Sequence, residues 1–178
     1  MADRPIGLTG VERTFPEHEL IVSKTNPKGF ITYGNDIFID MSGFTERELL
    51  GAPHNIIRHP HMPKCIFKLL WDVIQGGGEI FAYVVNRAKN GDHYWVYAHV
   101  TPWLDKSGTI EGYHSNRRVA SRSVVKDVIE PTYAKLLSIE QQHLHPKEAM
   151  AASTAILLQA IEDAGFPSYD EFIHSFDD

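Results

Sequence analysis

With 178 residues the chain can hold one domain of ordinary size plus an appendage, or two small domains, and is long enough to bury a core without staples. A formal charge of −6 disfavours wholesale binding to nucleic acid or an anionic membrane, and a single cysteine, Cys65, excludes an internal disulfide. The N-terminus lacks the apolar core of a signal peptide and no apolar run reaches bilayer length, so the expected location is the cytoplasm, with no membrane insertion by this chain.

Residues 1–18 have no clear period and carry Pro5, Gly7, Gly10 and Pro16, which reads as an N-terminal arm. Leu20-Ile21-Val22 and Phe30-Ile31-Thr32-Tyr33 are short strand candidates joined by Asn26-Pro27-Lys28-Gly29, a turn in which proline fixes φ and glycine supplies φ > 0. Asn35 and Asp36 can cap a short helix carrying Ile37, Phe38 and Met41, and Gly43 ends it. Thr45 and Glu48 have capping-box spacing and open a second short helix, closed by Gly51. Next comes a polar, proline-broken block, Pro53-His54-Asn55-Ile56-Ile57-Arg58-His59-Pro60-His61-Met62-Pro63-Lys64. Ile66, Phe67, Leu70, Trp71 and Ile74 then recur at helical spacing, which predicts a helix over 64–75 stopped by Gly76-Gly77-Gly78. A glycine run that precedes a strand is in the wrong order for a phosphate-binding fingerprint.

Three strands follow, at 80–87, 93–103 and 110–118, with turns at Lys89-Asn90-Gly91-Asp92 and Asp105-Lys106-Ser107-Gly108. The middle strand alternates, with Tyr94, Val96, Ala98 and Val100 on one face and His93, Trp95, Tyr97 and His99 on the other. A helix over 121–129 is expected to kink or end at Pro131, with a second from Thr132 into Gln142. Residues 148–164 carry a stripe of Met150, Thr154, Leu157, Leu158 and Ile161, and Ser168 opens a last short helix. Short turns between paired strands predict an α+β fold: a five-stranded antiparallel sheet with short helices on one face, plus C-terminal helices. The division is an arm at 1–18, a central domain at 19–120 and a helical extension at 121–178.

Asn35-Asp36-Ile37-Phe38, Ser42-Gly43-Phe44-Thr45, Gly51-Ala52-Pro53-His54-Asn55, Arg58-His59-Pro60, Met62-Pro63-Lys64 and Lys89-Asn90-Gly91-Asp92-His93-Tyr94-Trp95 together resemble the PAS domain of the bacterial aerotaxis receptor family. The resemblance covers roughly residues 20–130, and the Arg-His-Pro-x-Met-Pro block is its most specific part. It implies a signalling module, not an enzyme, that binds FAD non-covalently and reports redox state or oxygen. The family's FAD-binding positions carry over to Arg58, His59, His54, Asn55 and Asn86. Two positions depart from the family: His61 stands where an acidic residue is common, and Phe81 where a tryptophan is common. Photosensory LOV domains resemble the same fold and place an adduct-forming cysteine at about His54, so Cys65 predicts no such adduct.

The residue chemistry is compatible with a flavin, which needs an apolar slot, amide or hydroxyl partners and cations for its phosphates. Asn86 offers a donor and an acceptor, Arg58 a planar fork for phosphate, and Trp71 and Phe81 ring-packing surface. Tyr94 shares the face assigned inward, as do Tyr113, Ser115 and Arg117 on the last strand. The candidate cofactor residues are therefore His54, Asn55, Arg58, His59, Trp71, Phe81, Asn86, Tyr94 and Ser115. Haem or a small metabolite is the alternative ligand, and a cofactor-free dimerisation module the alternative role. His59-Pro60-His61 and His143-Leu144-His145 lack the clustered ligands of a metal site. A homodimer acting on a downstream signalling protein or output domain is the expected assembly, either free-standing or as part of a longer receptor.

Overall fold

The computed structural model describes residues 7–177. Five antiparallel strands form one sheet: β1 Ile21–Thr25, β2 Ile31–Gly34, β3 Ile80–Arg87, β4 His93–Leu104 and β5 Ile110–Val119, in the spatial order β2-β1-β5-β4-β3. Short turns set the β1–β2, β3–β4 and β4–β5 neighbours, and β1 pairs with β5 to join the two groups. Gly29 takes φ 81° in the β1–β2 turn, and a Cβ there would also sit 3.1 Å from the Trp71 ring, so both backbone and packing require glycine. Between the two strand groups lie α1 Asp36–Ser42, α2 Glu46–Leu49, a 3₁₀ turn at His54–Ile57 and α3 Lys64–Gln75.

Local chemistry fixes each short element. The Asn35 side-chain oxygen accepts from Phe38 N and from Val22 N, so one amide caps α1 and ties it to β1. Gly43, at φ 69°, closes α1 in the left-handed conformation. The Thr45–Glu48 capping box is complete. The inward face of the sheet, alternating along each strand, carries Ile21, Ala82, Val84, Tyr94, Val96 and Tyr113, all buried against α1–α3.

The C-terminal extension packs partly on the opposite face. It comprises α4 Arg122–Val124, a π-helical turn at Val125–Ile129, α5 Glu130–Gln141, α6 Pro146–Asp163 and α7 Tyr169–His174. Tyr133 of α5 packs its ring 6.1 Å from Trp95 and donates from its hydroxyl to the Tyr83 carbonyl at 2.6 Å. Beyond α7, Asp177 accepts from Tyr97. Pro131 does not break the helix as the sequence suggests. The π turn widens the register so that Glu130 N reaches Val125 O, and Thr132 Oγ1 donates to Val128 O, so the chain runs on through the proline. The α6 stripe is also rotated from its expected position. Ala149, Ser153, Leu157 and Ile161 are its buried residues, and Leu158 is 52% exposed. Among the described residues no helix is long and apolar enough to cross a membrane.

Candidate functional site

A cavity of about 520 Å³ lies between the inward sheet face and the helices that cross it. Ser23, Val84, Asn86, Ala98, Ser115 and Arg117 form the sheet wall; His54, Ile57, Phe67, Leu70 and Trp71 face them. Its size and largely apolar lining suit a cofactor-sized ligand. Lys28, Arg58, Lys64 and Lys68 line the same space, a concentration of cations in a chain of net negative charge.

Arg117 is the most unusual group in it. Its residue is 2% exposed, and its Nη2 donates to the Ser23 hydroxyl, yet Nε and Nη1 have no partner. The guanidinium lies 4.7 Å from the Phe38 ring centroid, and β4 opposes it with Ala98, whose small side chain leaves room. Burial pushes its pKa down to about 10, with the nearby Tyr94 phenol partly opposing the shift. A buried cation without a carboxylate is costly unless something else accepts from it. Asn86 Nδ2 and the Tyr94 hydroxyl are likewise buried and without partners. Of these residues, Asn86 and Arg117 line the cavity itself, with buried donors that no protein group accepts from.

Arg117 also orders its neighbours. Ser23 Oγ accepts from Arg117 and also hydrogen-bonds His54 Nε2, 3.0 Å away, so the serine links the buried cation to the histidine. Burial first, and then the Arg117 charge, push the His54 pKa down to about 3. Its ring stacks on Phe38 with a centroid separation of 6.1 Å.

Six of the nine sequence candidates line the cavity: His54, Asn55, Arg58, Trp71, Asn86 and Ser115. Arg58 joins the sheet through a backbone bridge to Asn86, and its guanidinium lies 4.2 Å from the Phe67 ring centroid. Trp71 sets its edge against Tyr113 at 5.4 Å. The other three lie elsewhere. Phe81 and Asn86 are an odd number of positions apart on β3, so with Asn86 inward Phe81 must face out, where it stacks on His99 at 4.0 Å. His59 follows Arg58 in extended chain, so the two side chains diverge; His59 enters a second cavity beside His61 and His93. Tyr94 faces inward but is fully buried beneath the lining.

Sequence reasoning placed Arg117 inward without giving it a role. The available signal was an arginine at an inward position of an alternating strand. Lys28, Lys64 and Lys68 carried no such signal. Cys65 is buried outside the cavity, its thiol pushed up to about 11 by burial, so no thiolate faces the slot.

The family described as PAS fold matches residues 31–116. The aerotaxis receptor of Escherichia coli K12 is 42% identical over 116 residues, 65% of this chain and 22% of that protein. The nitrogen fixation regulatory protein of Klebsiella pneumoniae is 26% identical, covering 57% of this chain and 21% of its own length. The chain thus spans about a fifth of these curated relatives. Among solved structures, the LOV domain of the blue-light photoreceptor Aureochrome1 superposes with a TM-score of 0.56 at 17% identity, over 65% of this chain and 91% of that one. At that identity the likeness is one of fold.

Proposed function

We propose that the chain, whose residues 31–116 match the PAS fold family and which is similar to the aerotaxis receptor of Escherichia coli, is a sensor module that binds FAD non-covalently and reports redox state or oxygen. The observation that carries the reading is the set of unpartnered buried donors, Arg117 Nε and Nη1 and Asn86 Nδ2, on residues that line a largely apolar cavity together with Arg58 and three lysines. The residues fit the group. The slot suits a flat ring system, the donors suit the carbonyls and ring nitrogens of its polar edge, and Arg58 with the lysines suits a pyrophosphate. Bound flavin would supply a redox centre whose charge and protonation change on reduction.

The chain's own residues would turn that change into movement. Arg117 can strengthen its hold on an acceptor that becomes more negative, and so draw its guanidinium away from Ser23. That motion would alter the Ser23–His54 hydrogen bond and the turn that carries His54. Asn86 can rotate its amide to donate or accept as its partner changes protonation. From Asn86 and Arg117 the signal would pass through the sheet to the C-terminal helices, and onward to a homodimer partner or a downstream signalling protein.

Asn86→Ala and Arg58→Ala should each lose flavin during purification while keeping native far-ultraviolet circular dichroism. Stoichiometric FAD retained in both variants would overturn the assignment.

A further inference from the structure

The C-terminal extension forms part of the cavity. Pro146 and Met150, in the first turns of α6, line it together with Arg58, Lys64 and Lys68. One buried carboxylate holds that arrangement. Glu140, in the last turn of α5, is 7% exposed. Its Oε2 accepts from Lys64 N and its Oε1 from Cys65 N, both at 3.0 Å, and Ser153 Oγ of α6 donates to the same Oε1 at 3.0 Å.

The start of α3 needs such a partner, because Pro63 at its N-cap supplies no side-chain acceptor. A cap normally comes from the same helix, where it is local and persistent. Here it comes from residue 140, across 76 positions of chain, and the same carboxylate pins α6. Glu140 makes no salt bridge among the described residues; its role is to accept from α3 and α6 together. One carboxylate thus ties α3, α5 and α6 together next to the place where α6 lines the cavity.

We infer that α6 is a lid over the cavity mouth, latched by Glu140, and that it touches the phosphate-bearing end of the bound ligand, so that occupancy and lid seating stabilise one another. The inference rests on the flavin reading above and adds a discrimination. Riboflavin, which has the ring but no phosphates, fills the slot without engaging the lid. FAD fills the slot and engages it. Thermodynamic linkage makes the effect reciprocal: whatever unseats α6 weakens FAD binding, and FAD protects α6.

The test compares riboflavin and FAD on the full chain. Hydrogen exchange of the α6 amides is measured with neither ligand, with riboflavin and with FAD, and both affinities are measured for the unaltered protein and for Met150→Glu. The substitution places a carboxylate on α6 in the lining shared with Arg58, Lys64 and Lys68. The expected result is α6 protection by FAD but not by riboflavin, with Met150→Glu weakening FAD about tenfold and riboflavin less than about twofold. Retained riboflavin binding also reports that the variant is folded. Tight FAD binding with unchanged α6 exchange would overturn the lid and leave the flavin reading standing. Failure of the unaltered protein to bind either flavin would overturn both.

Discussion

Arg117 is expected to weaken the ligand-free protein while it strengthens the complex. With two of its nitrogens unpartnered and no carboxylate facing it, its burial is only partly compensated by Ser23 and the Phe38 ring. Arg117→Met should therefore raise the stability of the ligand-free protein by about 1 kcal/mol and weaken flavin binding about tenfold to a hundredfold, the worth of hydrogen bonds from a charged donor. Denaturant titration and fluorescence quenching read the two effects separately; a loss of ligand-free stability would contradict the account. His54 gives a pH dependence. Its folded pKa of about 3 lies below the ordinary value of 6.5, so below pH 6.5 the unfolded chain takes up a proton that the folded one refuses. Stability is complete above pH 6.5 and falls as the pH drops towards 3, by at most about 1.4 kcal/mol per pH unit from this group. Between pH 6.5 and 5, above the range where most carboxylates titrate, His54→Asn should flatten the slope. His59, held down to about 4 by burial and by its cationic neighbours, adds a slope of the same sign. The site residues were legible where one residue type carried both burial and chemistry, as at Asn86 and Arg58. The failure at Phe81 was one of parity, since Phe81 and Asn86 cannot share a face of a regular strand.

At the scale of the element, α3 depends on a cap that comes from α5. Glu140→Ala leaves the Lys64 and Cys65 amides without their acceptor in a buried place and should cost about 2 kcal/mol. The same change at solvent-facing Glu48, whose capping box is local, should cost less, and equal losses in denaturant titrations would argue against a special role for Glu140. This dependence explains what the sequence could and could not reveal. The bounds of β3, β4 and α3 were readable to within a residue or so because glycine, proline and asparagine turns punctuate them. The partner of α3 was not, because a glutamate late in a later helix carries no local mark of a cap. Pro131 misled for a related reason. Proline's local cost was correctly anticipated, but a single π turn absorbs it and keeps the helix running.

Across the whole molecule, one sheet separates the two tasks that the extension performs. α5 and α7 cover the outer face around Trp95, Tyr97 and Phe81, while α6 reaches the mouth of the cavity against the inner face. Among the described residues, the outer sheet face keeps exposed aromatic surface at Tyr33 of β2 and Trp103 at the end of β4, 45% and 42% exposed, where a homodimer could form. The order of sheet and helices was visible from hydrophobic period and turns, whereas the wrapping of the extension was not, since no local pattern says which face a helix will cover. The most direct measurement is the absorption spectrum of freshly purified protein, before and after incubation with FAD, followed by release and identification of the bound cofactor. Paired flavin bands that bleach on reduction, with FAD at about one equivalent per chain, are the predicted result. A Soret band, or protein that stays colourless after incubation with FAD, would contradict it.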